Sequence, residues 1–390
     1  MANFLKKILI WKEAAVNTIP ANPPCYAFKT EAFGITAAQN SEENNELGNG
    51  RGASAKAYGT LNISGDLGMI WNEDNAPILF THGIGDATAT ANATALTWVT
   101  TQAQAKLDMI NHSDGLHTLV CYTAGTTGGT EPDLSAYTTK AAGRGVRVTD
   151  GTVVWIIMPL LVEQSGVRGD CLTSFGVEVE DDNSCGVSAP EYVRYGGLFV
   201  NSLPISITGS MNAMKSSVST IGQSEEDSIL VVDQGGVYEE MSAKVGFTET
   251  ELLSNYFLLE DAVFLLDGIA APVKTTSFNA TINNNATMDD ALNSEKIENI
   301  GIVNISGSFM ILMDNTLFAE AAGHVIKSAK ITFQKANGCL MEIEFPQFTL
   351  EKTFKQYNTS KSTMLEVPFS AFDTTGVKSV QWRTISPTSY

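Results

Sequence analysis

Two short blocks of sequence recur in the same order towards the two ends of the chain, and that repetition limits the fold more than any other feature. Phe28-Lys-Thr-Glu-Ala-Phe33 returns as Val273-Lys-Thr-Thr-Ser-Phe278, and Leu61-Asn-Ile-Ser-Gly65 returns as Val303-Asn-Ile-Ser-Gly307. The second pair runs on into Asp66-Leu-Gly-Met-Ile70 and Ser308-Phe-Met-Ile-Leu312. Each copy then reaches an acidic turn, Asn72-Glu-Asp-Asn75 or Met313-Asp-Asn315, and a short apolar stretch that ends in glycine. Matches kept in order and at similar separation favour a duplicated unit over coincidence in a Ser-, Asn- and Ile-rich chain.

The hydrophobic pattern says what kind of unit. Ser174-Phe-Gly-Val-Glu-Val179 and Leu198-Phe-Val-Asn-Ser-Leu-Pro-Ile-Ser-Ile207 alternate in the first half. Ala329-Lys-Ile-Thr-Phe333, Leu340-Met-Glu-Ile-Glu-Phe345 and Phe348-Thr-Leu350 do so in the second. A period of two predicts strands with one buried face, and the Gly, Asn and Pro between them mark turns. Helical signal is scarce. Thr248-Glu-Thr-Glu251 has the form of a capping box and predicts one short helix reaching Leu259, with Ala76 to Gly83 and Asn315 to Gly323 as further candidates. At 390 residues with 43% hydrophobic and 17% charged, the chain is globular and long enough for several cores.

The first half alone holds an extra segment, residues 98–159. It contains the Gly/Thr-rich cluster Tyr122-Thr-Ala-Gly-Thr-Thr-Gly-Gly-Thr-Glu-Pro132 and then Val148-Thr-Asp-Gly-Thr-Val-Val-Trp155. Asp150-Gly151 between β-formers predicts a hairpin, and a small β-domain inserted on a surface loop accounts for the whole segment.

Charge and cysteine usage exclude several function classes. The chain carries 24 Lys and Arg against 43 Asp and Glu, a net charge of −19. That balance does not wrap nucleic acid by counterion release; it suits plain solubility, or a surface past which a polyanion slides. The five cysteines, Cys25, Cys121, Cys171, Cys185 and Cys339, form no CxxC pair. This argues against a disulfide framework and against a zinc site, and fits thiols kept reduced. Behind Lys6-Lys7 only Ile8 to Trp11 are apolar, too short for a signal peptide. Val153 to Val162 is interrupted by Pro159 and too short to span a bilayer, so no membrane insertion is expected.

Candidate chemistry is thin. His112 and His117 are spaced onto different faces of a helix or strand with no ligand cluster around them, and read as surface histidines. Glu178, Glu180, Asp181 and Asp182 lack calcium-loop spacing and read as a solvated strand edge. Gly48-Asn-Gly-Arg-Gly52 and Gly125 to Gly129 lack the Lys-Ser/Thr of a phosphate loop, and no Gly-x-Ser-x-Gly elbow occurs. No catalytic, cofactor-binding or metal residue is assigned, no cofactor is expected, and the chain does not read as an enzyme. Tyr122, Tyr137 and Trp155 suit the core of a small domain better than a sugar-binding face.

Several of these pieces resemble a known family. Lys12-Glu13 near the start, Arg51-Gly before the first Asn-Ile-Ser-Gly strand, and Tyr195-Gly-Gly-Leu-Phe-Val-Asn-Ser-Leu-Pro-Ile-Ser-Ile207 followed by Ser216-Ser-Val-Ser-Thr220 resemble siphophage tail tube proteins. The resemblance covers most of the chain outside residues 98–159. That segment separately resembles small β-modules repeated in phage tail and fibre proteins, through Gly125 to Pro132 and Val148 to Trp155.

The resemblance implies a mainly-β fold, a β-sandwich or half-barrel with a flanking short helix. It would be duplicated, with residues 1–97 plus 160–240 as the first tail-tube domain, 241–390 as the second, and 98–159 inserted. It implies a structural virion protein of the phage tail, assembled in the bacterial host cytoplasm. Copies would form trimeric, pseudo-hexameric rings, a true hexamer being the alternative, stacked into a hollow tube for passing double-stranded DNA. Implied partners are further copies of the chain, the tape measure protein, and the tail tip and tail terminator proteins. The N-terminal arm, Met1 to Pro24, and long loops would mediate stacking as segments left over from the barrel. Competing classes are a host-surface glycan-binding tail module, the tube of a contractile injection or type VI-like system, and an unrecognised hydrolase.

Overall fold

The computed structural model describes residues 5–44, 55–85, 87–91, 95–181, 190–208, 213–233, 236–252, 255–270, 275–290, 296–312, 315–352, 354–356 and 364–388. The fold is mainly β, and the alternation explains why. Lys215–Gly222 buries Ser216, Val218, Thr220 and Gly222, while Met364–Ala371 buries Leu365, Val367 and Phe369. The faces so formed close on one core that runs from Ile8 to Trp382 and mixes residues of both halves. In the second half it centres on Phe278, Phe309, Phe345, Phe348 and Phe369, whose neighbouring ring centroids lie 5.0 to 6.2 Å apart.

Each half presents the same antiparallel strand order. In the first it is Leu5–Lys12, Phe175–Asp181, Glu191–Thr208, Lys215–Gly222, Ala55–Ile70 and Thr36–Asn44. In the second it is Ala262–Leu266, Ile326–Gln334, Leu340–Leu350, Met364–Ala371, Asn304–Leu312 and Thr275–Asn283. The register agrees as well as the order. Ile63 faces Gly222 and Leu67 faces Val218, as Ile305 faces Ala371 and Phe309 faces Val367. On the other flank Phe33 faces Leu67 and Phe278 faces Phe309, so the two repeated blocks lie side by side in both halves.

The glycine ending each Asn-Ile-Ser-Gly block has a packing reason. A Cβ on Gly65 would stand 2.1 Å from the Gly34 carbonyl oxygen, and one on Gly307 2.2 Å from that of Asn279. Only a residue without a side chain lets the adjacent backbone come this close. After each of these strands comes a short helix where the sequence predicts one, Ala76–Gly83 and Asn315–Ala322. The first is wholly buried.

A strand pair joins the halves. Ser202 to Thr208 run antiparallel to Asn283 to Ser277. The seam is fastened by the buried Asn284, whose amide donates to the carbonyls of Gly83 (3.0 Å) and Val200 (2.9 Å). A separate five-stranded sheet lies between Leu96 and Pro159, within the segment that has no counterpart in the second half.

Two sequence expectations need correction. Thr248–Glu251 is a strand, paired in parallel with Pro24–Ala27, and among the described residues up to Leu258 no α-helix follows. An available strand partner outcompetes a capping motif with only a short run behind it. Nor is the N-terminal arm left over from the sheet. Leu5–Lys12 is a paired strand, with Ile8, Ile10 and Trp11 buried. The block at Gly48 to Gly52 and the turn residues Met313-Asp314 lie outside the described residues.

Gly65→Ala and Gly307→Ala should each lower stability by about 1–3 kcal/mol through forced strand separation. Gly129→Ala, where a Cβ meets nothing within 4 Å, should leave the urea midpoint unchanged.

Candidate functional site

Two buried nodes gather ionic side chains in the interior. The first grows from the acidic turn Asn72 to Asn75. Asn72 Oδ1 accepts from the backbone N–H of Asp74 (2.9 Å) and Asn75 (2.8 Å), and Asn75 Oδ1 accepts from Asn72 N–H (2.8 Å). The turn thus satisfies the N–H groups of Asn72, Asp74 and Asn75 from within, while Glu73 N–H donates to the Asn255 carbonyl, and both carboxylates are left for distant partners. Arg144 of the 98–159 segment pairs with Glu73 and reaches Asp74 Oδ2 at 3.4 Å. Asn255 and Asn337 of the second half donate to Glu73 at 3.0 and 2.9 Å, and Thr388 donates to Asp74 Oδ1 at 3.0 Å. Burial works against the Arg144 charge, but Asp74 and Glu73 outweigh it and raise its pKa. Burial likewise pushes the neighbouring Cys339 thiol well above its usual range.

This node ties the first half, the inserted segment and the second half, including Thr388 near its C-terminal end, at one point. An apolar contact lies beside it, where Met109, Val120, Ile156, Met158 and Leu161 pack on Cys339, Leu340 and Ile385. The sequence marked the acidic turn but not Arg144, whose one local signal is its position between Gly143 and Gly145, both at positive φ. Arg144→Met leaves two carboxylates buried without their cation. It should cost about 3–5 kcal/mol and expose the segment to limited proteolysis. Adding Glu73→Gln and Asp74→Asn should recover most of that loss, read by thermal unfolding as a thermodynamic cycle in which the two carboxylate changes are made together.

The second node overturns the reading of Glu178 as part of a solvated edge. Glu178 is 3% exposed. Its Oε2 accepts from Arg194 Nη2 (2.6 Å) and from Tyr238 Oη (2.8 Å), and its Oε1 accepts from Met241 N–H (2.8 Å). Arg194 also donates to Glu226 Oε2 (2.7 Å) and to the Glu239 carbonyl (2.6 Å), and lies 4.8 Å from the Tyr238 ring centroid. The connection after Ser224–Asp227 folds over this strand, so a face that alternation alone would leave wet is covered. Glu180 and Asp181 are half-buried, and Asp182 lies outside the described residues.

In the inserted segment, Arg147–Asp150 and Val153–Pro159 pair across Gly151-Thr152, the hairpin that Asp150-Gly151 predicts. Asp150 organises it. Its carboxylate accepts from Trp98 Nε1 (3.0 Å), Trp155 Nε1 (3.3 Å) and Gly128 N–H (2.6 Å), binding the Gly/Thr-rich cluster to the hairpin. Trp155 and Tyr137 belong to the segment's core, and Tyr122 is capped by Arg147, whose guanidinium carbon lies 3.8 Å from the ring centroid. They form no common sugar-stacking face.

His112 and His117, expected on the surface, are buried. His112 and His117 are 9% and 0% exposed and converge on Asp114. The tight turn between them, not strand or helix periodicity, brings them together. Burial tends to raise the Asp114 pKa, but hydrogen bonds from His117, from Leu116 and His117 N–H and from His112 overcome it and hold it at about 2. A lowered folded-state pKa stabilises above the unfolded value and loses that contribution as pH falls through the folded one. The segment should therefore hold firm down to pH near 3.8 and lose on the order of 1–2 kcal/mol as pH falls towards about 2. Asp114→Asn should abolish that dependence, as followed by Trp fluorescence.

Among the described residues no group of His, Cys, Asp and Glu could hold a metal ion, and Cys25, Cys121, Cys171 and Cys339 are free. No helix among them is long and apolar enough to cross a membrane. What the molecule offers is strand edges and rigid joints. The family model for the phage tail tube protein matches residues 4–371. The chain belongs to that family. It is a structural component of the virion, and its family assembles into a tube. No curated protein matches the chain.

Proposed function

We propose that copies of this tail tube protein join edge to edge into rings, that three chains complete a ring of six similar units, and that the rings stack into a hollow cylinder traversed by duplex DNA during ejection. The supporting observation is the shared strand order and register of the two halves, joined by one antiparallel seam. Residues 1–97 with 160–240 form one unit, 241–390 the other, and 98–159 a module held to both. An antiparallel sheet that ends in an open edge gains by recruiting a further strand, and a closed ring leaves no edge over.

Electrostatics suits the passage of DNA. Three chains at −19 each would carry about −57, a field that disfavours sticking of phosphates to the wall. The tape measure protein would fill the bore before ejection, and the terminator and tip proteins would cap the two ends. The glycan-binding alternative loses its aromatic platform, because Trp155 is buried and Tyr122 is covered.

Negative-stain electron microscopy of the purified protein should show rings or tubes of uniform bore, with a ring mass of three chains by light scattering. Particles that stay monomeric across concentration and salt would refute the assembly.

A further inference from the structure

The intramolecular seam contains a template for the joint between chains. Within the seam Pro204 faces Thr281, Ile205 faces Ala280 and Ser206 faces Asn279. The repeated register gives each of these residues a counterpart. Ser206 faces Lys215, which faces Ile70; Gln356 faces Met364, which faces Leu312. Ile70 and Leu312 end the two matched Asn-Ile-Ser-Gly strands, so Gln356 stands where Ser206 does. Phe354 and Lys355 then stand where Pro204 and Ile205 do. On the other flank Phe33 matches Phe278 and Thr36 matches Thr281, because Thr36 faces Ser64 as Thr281 faces Ser306. Gly34 and Ile35 therefore correspond to Asn279 and Ala280.

In the first half the strand containing Pro204 to Ser206 is covered by the second half. The counterparts have no such strand neighbour among the described residues. Among the described residues Phe354–Gln356 pairs only with Met364–Ala371, and residues 34–36 meet strand neighbours only on the side of Ala55–Ile70. The hydrogen-bonding groups also point the right way. Gly34 donates its N–H to Asp66 O at 2.9 Å, so alternation turns the N–H and C=O of Ile35 away from Ala55–Ile70, to the side where no described strand lies, with Ile35 itself 2% exposed. Pro204 turns its carbonyl to Ser216, away from the seam, which leaves Ile205, and by correspondence Lys355, aimed across it.

We propose that the joint between successive chains is this second seam: Phe354–Gln356 of one copy pairs antiparallel with residues 34–36 of the next, Phe354 opposite Thr36, Lys355 opposite Ile35 and Gln356 opposite Gly34. The inference rests on the edge-to-edge assembly above and specifies its contact. Ile35 and Lys355 form the hydrogen-bonded pair. Thr36 and Phe354 form the non-hydrogen-bonded pair, whose Cα separation of about 4.5 Å suits a disulfide. The partner is a second copy of this chain, and the occupant of each edge is fixed by a contact the molecule already makes with itself.

The test uses the full chain with Cys171→Ser and Cys185→Ser, carrying Thr36→Cys and Phe354→Cys together. Mild oxidation should give a ladder of linked chains on a non-reducing gel, which either single variant lacks. Pairing Thr36→Cys with Gln356→Cys, out of register, should give at least tenfold less. Lys355→Pro, which removes the outward N–H, should abolish assembly with an unchanged far-UV circular dichroism spectrum, and it decides the matter should the cysteine variants misfold. Rings without a ladder, equal linking by the shifted pair, or rings formed by Lys355→Pro would overturn this register and leave ring formation standing. A parent chain that forms no rings would overturn both.

Discussion

Backbone hydrogen bonding across strand edges governs this molecule. Each N–H and C=O in a sheet needs a partner or water, and an edge strand has half of its groups facing outwards. The first half meets that requirement on one flank by borrowing a strand from the second, where Thr275–Asn283 lies against Ser202 to Thr208. Side chains support the arrangement. Asn284 fastens the seam, Gly65 and Gly307 let backbones close up, and the phenylalanine cluster fills the space behind.

Local periodicity carried much of this into view. The Asn-Ile-Ser-Gly repeat was legible because close backbone approach tolerates only glycine at its end, which preserves the pattern in both copies. The helix Ala76–Gly83 and the hairpin at Asp150-Gly151 were legible because turn chemistry is local. Glu178, His112 and His117 were misjudged because burial depends on what folds over a residue from elsewhere. The cover of Glu178 arrives with Tyr238 and Met241, and a tight turn inverts the expected separation of the histidines. Thr248–Glu251 became a strand for the same kind of reason, since Pro24–Ala27 lies distant in sequence.

The two buried ionic nodes are specifying features more than stabilising ones. Removing charges from water offsets most of what their pairing returns. What the nodes add is discrimination. Glu73 holds Arg144, Asn255 and Asn337 only when all three are correctly placed, and Glu178 does the same for the connection between halves. A slipped register at either point would strand a carboxylate in the interior. In a protein whose repeats are similar enough to pair wrongly, that penalty separates the native arrangement from its near-copies.

The chain order of the strands has a consequence for synthesis. Leu5–Lys12 must wait for Phe175–Asp181, and Ala55–Ile70 for Lys215–Gly222, before either has that neighbour. The segment between them is built from nearby strands, Met109–Asn111, His117–Thr123, Arg147–Asp150 and Val153–Pro159. Low contact order lets it close first as the polypeptide leaves the ribosome. The nascent first half then has its local pairs, Thr36–Asn44 with Ala55–Ile70 and Leu5–Lys12 with Pro24–Ala27, but lacks the strands that follow the module, and the module keeps its two flanks near each other until the rest arrives.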